Sequence, residues 1–514
     1  MSLSMNNSES YGSAAAAPSL PRRGWLLFAF VVSGFLGSIA IVSIADSVPR
    51  LGAAGVAVLI LLAVPAGALT VVGAIQGLRK LMVLRRHLVW WHWMWALIAC
   101  SALVFRFARN ASEVASAPLD AWAMLRVGPE GIVMLVLIVR LVLKRPNWLR
   151  DLFTGLPKWM AIFSLICITT TVWSVYAAWT AYKSIEFLFD VGLLAAILAS
   201  IDSVEAYTTL LDWTWLLYGA ELVSAWLSAM VWPSDAWVNG RLEGVFPIVP
   251  YNAIGETGAL LALVAFCRLL PMSGRSRDRS WYSVLFIFGV VSLYFSQTRN
   301  TIGGLLLGIV VVLFFMRRWV TAGLLTLGGT LALVFTSLGP AVWTYLQRDQ
   351  SEKELTSLTG RMEWWAFAWQ QFLQHPFTGL GAYAGGKFAV LAKLRLNNGA
   401  IHSDLMEIIV GTGIWGVLPV FIALAGTWWF LIRALRNSLF SQDEQQYAIE
   451  GLGVMGLLTL HSFFNVELIW HAPLLFFAVL GYAEVLRRRL KAGAVVPQPC
   501  RSKEAYLEPV GVGQ

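Results

Sequence analysis

The stretch Ser292-Leu293-Tyr294-Phe295-Ser296-Gln297-Thr298-Arg299-Asn300-Thr301-Ile302-Gly303-Gly304-Leu305-Leu306-Leu307 decides what kind of molecule this is. Apolar runs near 281–297 and 300–316 flank its polar centre, and Arg299 is the one charged residue between 281 and 316. Apolar segments of about 20 residues are membrane helices, so this stretch reads as two spans joined by a tight turn. Outward from it, further apolar runs lie near 25–44, 53–75, 88–107, 121–143, 158–180, 185–201, 206–231, 253–270, 319–338, 405–433, 449–465 and 471–487. Composition agrees. Of 514 residues 58% are hydrophobic and 13% charged, against about 25% charged in a soluble domain. A water-soluble globule and a disordered chain are both excluded. The expected fold class is an all-α polytopic membrane protein with about 12–14 transmembrane helices; whether the short runs 185–201 and 300–316 span fully stays open.

Charge orients the spans. The excess of 38 Lys+Arg over 29 Asp+Glu, +9, sits mostly in short connections, which argues for topology rather than for a nucleic-acid partner. Arg22-Arg23, Arg79-Lys80 with Arg85-Arg86, Lys144-Arg145, Arg275 to Arg279, Arg317-Arg318, Arg433 with Arg436, and Arg487 to Arg489 all fall on one side if the spans alternate. The positive-inside rule makes that side cytoplasmic. Expected are a disordered cytoplasmic tail over 1–24, a transmembrane bundle over 25–339 with an external loop at 232–252, a large external loop over 340–404, further transmembrane helices over 405–488 and a cytoplasmic tail over 489–514. The run after Pro21-Arg22-Arg23 is longer than the 7–15 residues of a cleaved signal's apolar core, so it reads as an uncleaved first span. Cys100, Cys167, Cys267 and Cys500 are far apart and form no disulfide or zinc pattern.

Arg241, Arg299, Arg361 and His402 stand on the external side, against the charge trend. Arg241 follows Asn239-Gly240; Arg361 follows Gly360 and opens a Trp-rich stretch to Phe372 with the composition of an amphipathic interfacial helix; His402 stands in Ala400-Ile401-His402-Ser403-Asp404, before a new span. Each has a bland reading. An Arg at a span end snorkels to lipid phosphate, and His402 is an interfacial histidine with Ser403 or Asp404 capping the next helix. Arg299 fits that reading least, since its turn is too short to lift it from the membrane.

Together the four suit one chemistry. No nucleotide sugar exists outside the cytoplasm, so a glycosyl donor there is lipid-linked, and a polyprenyl diphosphate is the natural carrier. Cleaving its anomeric C–O bond leaves extra negative charge on the diphosphate, which guanidiniums stabilise bidentately. A base for the acceptor hydroxyl is then required, and histidine suits that near neutral pH. The external segments hold no Asp-x-Asp pattern for a divalent cation, so arginines take the metal's place and no cofactor is expected.

Three stretches carry a family resemblance: Ser296 to Asn300 with Gly303; Thr359-Gly360-Arg361 with Trp364 and Trp365, then His375-Pro376-Phe377-Thr378-Gly379-Leu380-Gly381; and His402-Ser403-Asp404-Leu405 with Gly411, Gly413 and Gly416. Arg241-Leu242-Glu243-Gly244-Val245-Phe246 with Asn252 matches an upstream Arg-containing loop. The sequence resembles the O-antigen ligase family, within the O-antigen ligase/polymerase group of lipopolysaccharide-assembly glycosyltransferases. The resemblance is best over 238–420; His-Ser stands where many relatives have His-Asn. It implies a GT-C-like fold in the bacterial inner membrane, with a periplasmic active site and both termini cytoplasmic. It implies a metal-independent inverting transfer of O-polysaccharide from undecaprenyl diphosphate to a lipid A–core hydroxyl. Arg241 and Arg299 would hold the diphosphate, with Arg361 a further candidate, and His402 would be the base or position the acceptor.

Two alternatives stay open. An O-antigen polymerase or a protein O-oligosaccharyltransferase differs only in acceptor. A transporter or lipid-linked sugar flippase draws support from Glu186, Asp190, Asp212, Glu221 and Glu256, because intramembrane acids mark ion pathways; Glu186 and Asp190 are alternatively paired with Arg106, Arg109 or Arg126 inside the bundle.

Overall fold

The computed structural model describes residues 71–103, 121–144, 148–201, 203–270, 272, 278–335, 338–347, 360–396, 400–470 and 473–495. The expected tail 1–24, the first apolar run, Arg106, Arg109 and residues 496–514 of the second expected tail lie outside them, while 489–495 are helical. The chain divides into two compact units, 1–80 and 81–514. In the first, residues 71–80 are helical.

The second unit is almost wholly helical. Its longer helices are α1 (Trp90–Ala102), α2 (Ala121–Lys144), α3 (Pro157–Thr169), α4 (Ala177–Ser200), α5 (Val204–Val231), α6 (Tyr251–Leu269), α7 (Arg279–Ser296), α8 (Arg299–Phe315), α9 (Trp319–Phe335), α10 (Leu338–Gln347), α11 (Arg361–Gln374), α12 (Asp404–Thr412), α13 (Ile414–Leu435), α14 (Gln442–Phe464) and α15 (Leu474–Val495). One two-residue hairpin, β1 (Trp237–Val238) with β2 (Arg241–Leu242), is the sheet among the described residues. Four helices, α5, α6, α13 and α14, are long and apolar enough to cross a membrane, and α8 and most of α9 are apolar but shorter. The 24-residue α2 and α4 are diluted by charge: Arg126, Glu130, Arg140 and Lys144 in one, Lys183, Glu186 and Asp190 in the other.

Two expected spans are interrupted. The run read as 158–180 ends as helix at Thr169, passes through a 3-10 turn (Thr170–Trp173), and resumes at Ala177, so that 185–201 belongs to a full-length helix. The run read as 405–433 breaks at Gly413. One segment, 376–382, lies against both breaks. Its Leu380 and Gly381 amides donate to the Val410 and Gly411 carbonyls at 2.8 and 3.0 Å, and its Pro376 carbonyl accepts from Ile414 N at 2.9 Å. On its other side Val175 N donates to the Leu380 carbonyl at 3.0 Å, Trp173 Nε1 to the Thr378 carbonyl at 2.9 Å, and Ala382 N to Thr170 Oγ1 at 3.0 Å. An irregular, non-helical segment against helices needs partners for its backbone, and the two broken helices supply them. Gly379 makes the approach possible: its φ is +62°, and a Cβ there would fall 2.4 Å from the Gly411 carbonyl oxygen.

The tightest helix crossing is α6 on α7, where a Cβ on Gly258 would sit 2.7 Å from the Gly289 carbonyl oxygen. Small residues let helix backbones meet this way in membranes. Elsewhere Arg268 on α6 ties three helices together. Its Nε donates to Glu450 Oε1 at 2.8 Å and its Nη2 to Asp212 Oδ1 at 2.6 Å, while Tyr447 donates to Asp212 Oδ2 at 3.1 Å. Glu450 is 1% exposed, and stranding a buried charge costs about 3–5 kcal/mol. Arg268→Ala is therefore expected to lower the unfolding temperature of the purified protein by many degrees, read by intrinsic fluorescence in detergent.

Candidate active site

The hairpin explains Arg241. Asn239 and Gly240 both take positive φ, 52° and 72°, the backbone of a two-residue turn whose twist matches the strands. Val238 pairs with Arg241 across it. The guanidinium of Arg241 lies 3.5 Å from the centre of the Tyr251 ring, at the start of α6, and its Nη2 donates to the Gln297 carbonyl at 3.3 Å. Gln297, with φ 52° in the turn between α7 and α8, returns a bond from Nε2 to the Gly240 carbonyl at 3.3 Å. Thr298 Oγ1 donates to the Tyr251 carbonyl at 3.2 Å. Hairpin, turn and α6 are thus latched, which holds Arg299, the first residue of α8, within the electrostatic field of Arg241. Like charges gathered in this way suit an anion, and the Glu243 carboxyl also lies in the field of Arg241. Arg241 Nε is moreover buried with no hydrogen-bond partner.

Arg361 and His402 approach from the large loop. Arg361 opens α11, and its Nη1 donates to the Phe464 carbonyl at 2.6 Å, at the end of α14 where helix carbonyls are unpaired. Tyr251, which carries Arg241, also lies in the field of Arg361. This shared tyrosine links the two halves of the site. Of the three tryptophans of α11, Trp364 packs toward the His402 ring with centroids 6.1 Å apart, Trp365 Nε1 donates to the Ile401 carbonyl at 2.9 Å, and Trp369 faces outward. The amphipathic helix is present, but two of its tryptophans serve the histidine segment.

His402 has a φ of 51°, rare for a residue with a Cβ. Its Nδ1 is 3.1 Å from Asn465 Oδ1. Burial, and then the neighbouring Arg361 charge, hold its imidazole down to about 4, so the ring is neutral at physiological pH. Neither Ser403 nor Asp404 caps α12 through its side chain. The Asp404 carboxylate instead accepts from the amides of Glu467 at 3.0 Å and Leu468 at 3.1 Å, clamping the loop after α14 beside His402.

Behind Asn465 lies a polar group that the sequence reading did not single out as a site. Asn465 Nδ2 donates to Glu467 Oε1. His461 is fully buried, its Nδ1 3.4 Å from Glu467 Oε1 and 3.8 Å from Glu256 Oε2, and its Nε2 lies 3.4 Å from Thr301 Oγ1. Burial and the adjoining Glu256 carboxyl push the Glu467 carboxyl well up, as expected of two carboxyls sharing a proton. Among the described residues, Glu256, His461 and Glu467 are the one group with ligand atoms close enough for a metal ion, within 4.8 Å of one another; one shared proton satisfies the two carboxyls equally well. The signal in the sequence was a cluster of polar residues, His461, Ser462, Asn465 and Glu467, at and just after the end of the apolar run 449–465.

The structure therefore brings Arg241 and Arg299 together, and Arg361 with His402, around Tyr251. Residues 284–421 match the family model described as O-Antigen ligase, a domain that O-antigen ligases and polymerases share. The match contains Arg299, Arg361 and His402, while Arg241, Asn465 and Glu467 lie outside it. No curated protein matches the chain.

Proposed function

We propose that this chain, carrying an O-antigen ligase domain, is a ligase that moves O-polysaccharide from undecaprenyl diphosphate to a lipid A–core sugar hydroxyl. The reading includes a GT-C-like bundle of about 12–14 spans, with a periplasmic active site in the bacterial inner membrane and both termini cytoplasmic. Its partners are then the lipid-linked donor, the lipid A–core acceptor and membrane lipid, with no nucleic acid. The observation that carries it is the pairing of Arg241 with Arg299 and of Arg361 with a neutral His402, joined through Tyr251.

Arg241 and Arg299 take the diphosphate oxygens, with the orphaned Arg241 Nε supplying one donor. His402 accepts the proton of the acceptor hydroxyl as its oxygen attacks the anomeric carbon from the face opposite the diphosphate. The C–O bond to the diphosphate breaks, its electron pair leaves with the phosphate oxygen, and the configuration inverts. Arginine charge stabilises the departing anion where a metal would otherwise stand.

Two of the five acids behind the ion-pathway alternative are paired: Asp212 bridges to Arg268, and Glu186 pairs with Lys183 and accepts from Tyr182 at 3.0 Å.

The test mixes purified protein, a polyprenyl-diphosphate glycan and lipid A–core, with EDTA and without nucleotide. Coupled glycolipid is expected. Lengthened donor glycan would make it a polymerase, a need for added magnesium would overturn the metal-free chemistry, and labelled glycan crossing sealed vesicles without coupling would make it a transporter.

A further inference from the structure

We infer that Asn465 and Glu467 are positioning residues that hold His402 in the Nδ1–H tautomer and so present Nε2 as the free base. The inference deepens the proposed function and rests on it for the role of His402. Its basis is the direction of a three-member hydrogen-bond chain.

Glu467 Oε1 is an acceptor for Asn465 Nδ2. That contact turns the other end of the amide, the Oδ1 carbonyl, toward His402 Nδ1 at 3.1 Å. A carbonyl oxygen only accepts, so Nδ1 must carry the hydrogen, and in a neutral imidazole the lone pair is then on Nε2. The amide orientation, which the neighbours must decide, is decided here by Glu467. With the proton between Glu467 and Glu256 held on Glu256 or on Glu467 Oε2, Oε1 keeps its acceptor role.

The chain is held rigidly. Glu467 N and Leu468 N both donate to Asp404, two residues after His402, and Arg361 donates to the Phe464 carbonyl, adjacent to Asn465. The histidine and its orienting amide are 63 residues apart in sequence, yet each is fastened to the other's neighbours. Such an outer partner aims the ring and sets its tautomer, which a base requires because only the unprotonated nitrogen takes the proton.

The experiment combines kinetics with nitrogen NMR of histidine-labelled protein in nanodiscs, the His402 signals being assigned by their loss in His402→Gln. Wild type is expected to show protonated Nδ1 and bare Nε2. Asn465→Leu, similar in size, should lose that pattern and lower kcat about a hundredfold or more with the donor KM unchanged. Asn465→Asp keeps an acceptor facing Nδ1 and should recover most of the turnover. Glu467→Leu leaves Asn465 free to turn and should give both tautomers. Wild-type protein with the hydrogen on Nε2, or an Asn465→Leu variant with unchanged kcat and retained Nδ1–H, would overturn the inference. Full activity in His402→Ala would instead remove the base assignment on which it rests, a result separable from the first two.

Discussion

Arg299→Ala is expected to abolish transfer while the protein still inserts and folds. Other residues latch the turn: Gln297 bonds to the hairpin, Thr298 to the Tyr251 carbonyl, and Thr301 lies against His461. What the substitution removes is charge at the point where the diphosphate becomes more negative. Losing one preorganised donor to a developing anion costs about 10²–10³ in rate, and a full guanidinium that offers two donors sets the lower bound at that figure. Arg299→Lys retains the charge but not the planar fork, so it should recover only a minor part of the activity. The measurement is turnover in the reconstituted system, with size-exclusion profile and unfolding temperature as controls. Normal transfer by Arg299→Ala would remove the diphosphate role.

The second large effect concerns His402. His402→Ala should lower kcat by about 10²–10⁴, the range that general base catalysis contributes, while the donor still binds through Arg241 and Arg299. Lost donor binding would make His402 a binding group instead. The pH dependence has a definite sign. The base works only when unprotonated, and burial with the Arg361 charge holds its titration down to about 4. Turnover limited by this group should therefore stay level from neutral pH down to about 5 and fall only as pH drops through about 4. An unperturbed histidine would begin to fail near 6.5. A limb at 6.5 in the wild type would mean that the imidazole is not desolvated.

Much of this was legible in the sequence because apolar periodicity and charge exclusion act locally. The short polar island around Arg299, flanked by long apolar runs, announced a helical pair joined by a tight turn, and that pair is present. The break at Ser174 was not legible. Val172, Trp173, Val175 and Tyr176 are as apolar as a helix interior, so no composition rule separates them from a span. The interruption exists because segment 376–382 takes hydrogen bonds there, and its partners are some 200 residues away, as in the Trp173–Thr378 bond at a separation of 205. The Pro376–Gly381 motif resembled a loop feature of a family; its physical task is to thread two broken helices.

By itself the sequence determined that the chain is mostly helical with runs apolar enough to cross a membrane, and which cations stand apart from the charge clusters, since those depend on the solvation of each side chain and on neighbours a few residues away. Only the tertiary structure decided that Arg241 shares a tyrosine with Arg361, and that His402 answers to Asn465 and Glu467. The Arg241–Gln297 and His402–Asn465 contacts that hold the site join residues 56 and 63 positions apart. No periodicity encodes such a distance: a hydrogen bond constrains two atoms in space and leaves the length of chain between them free.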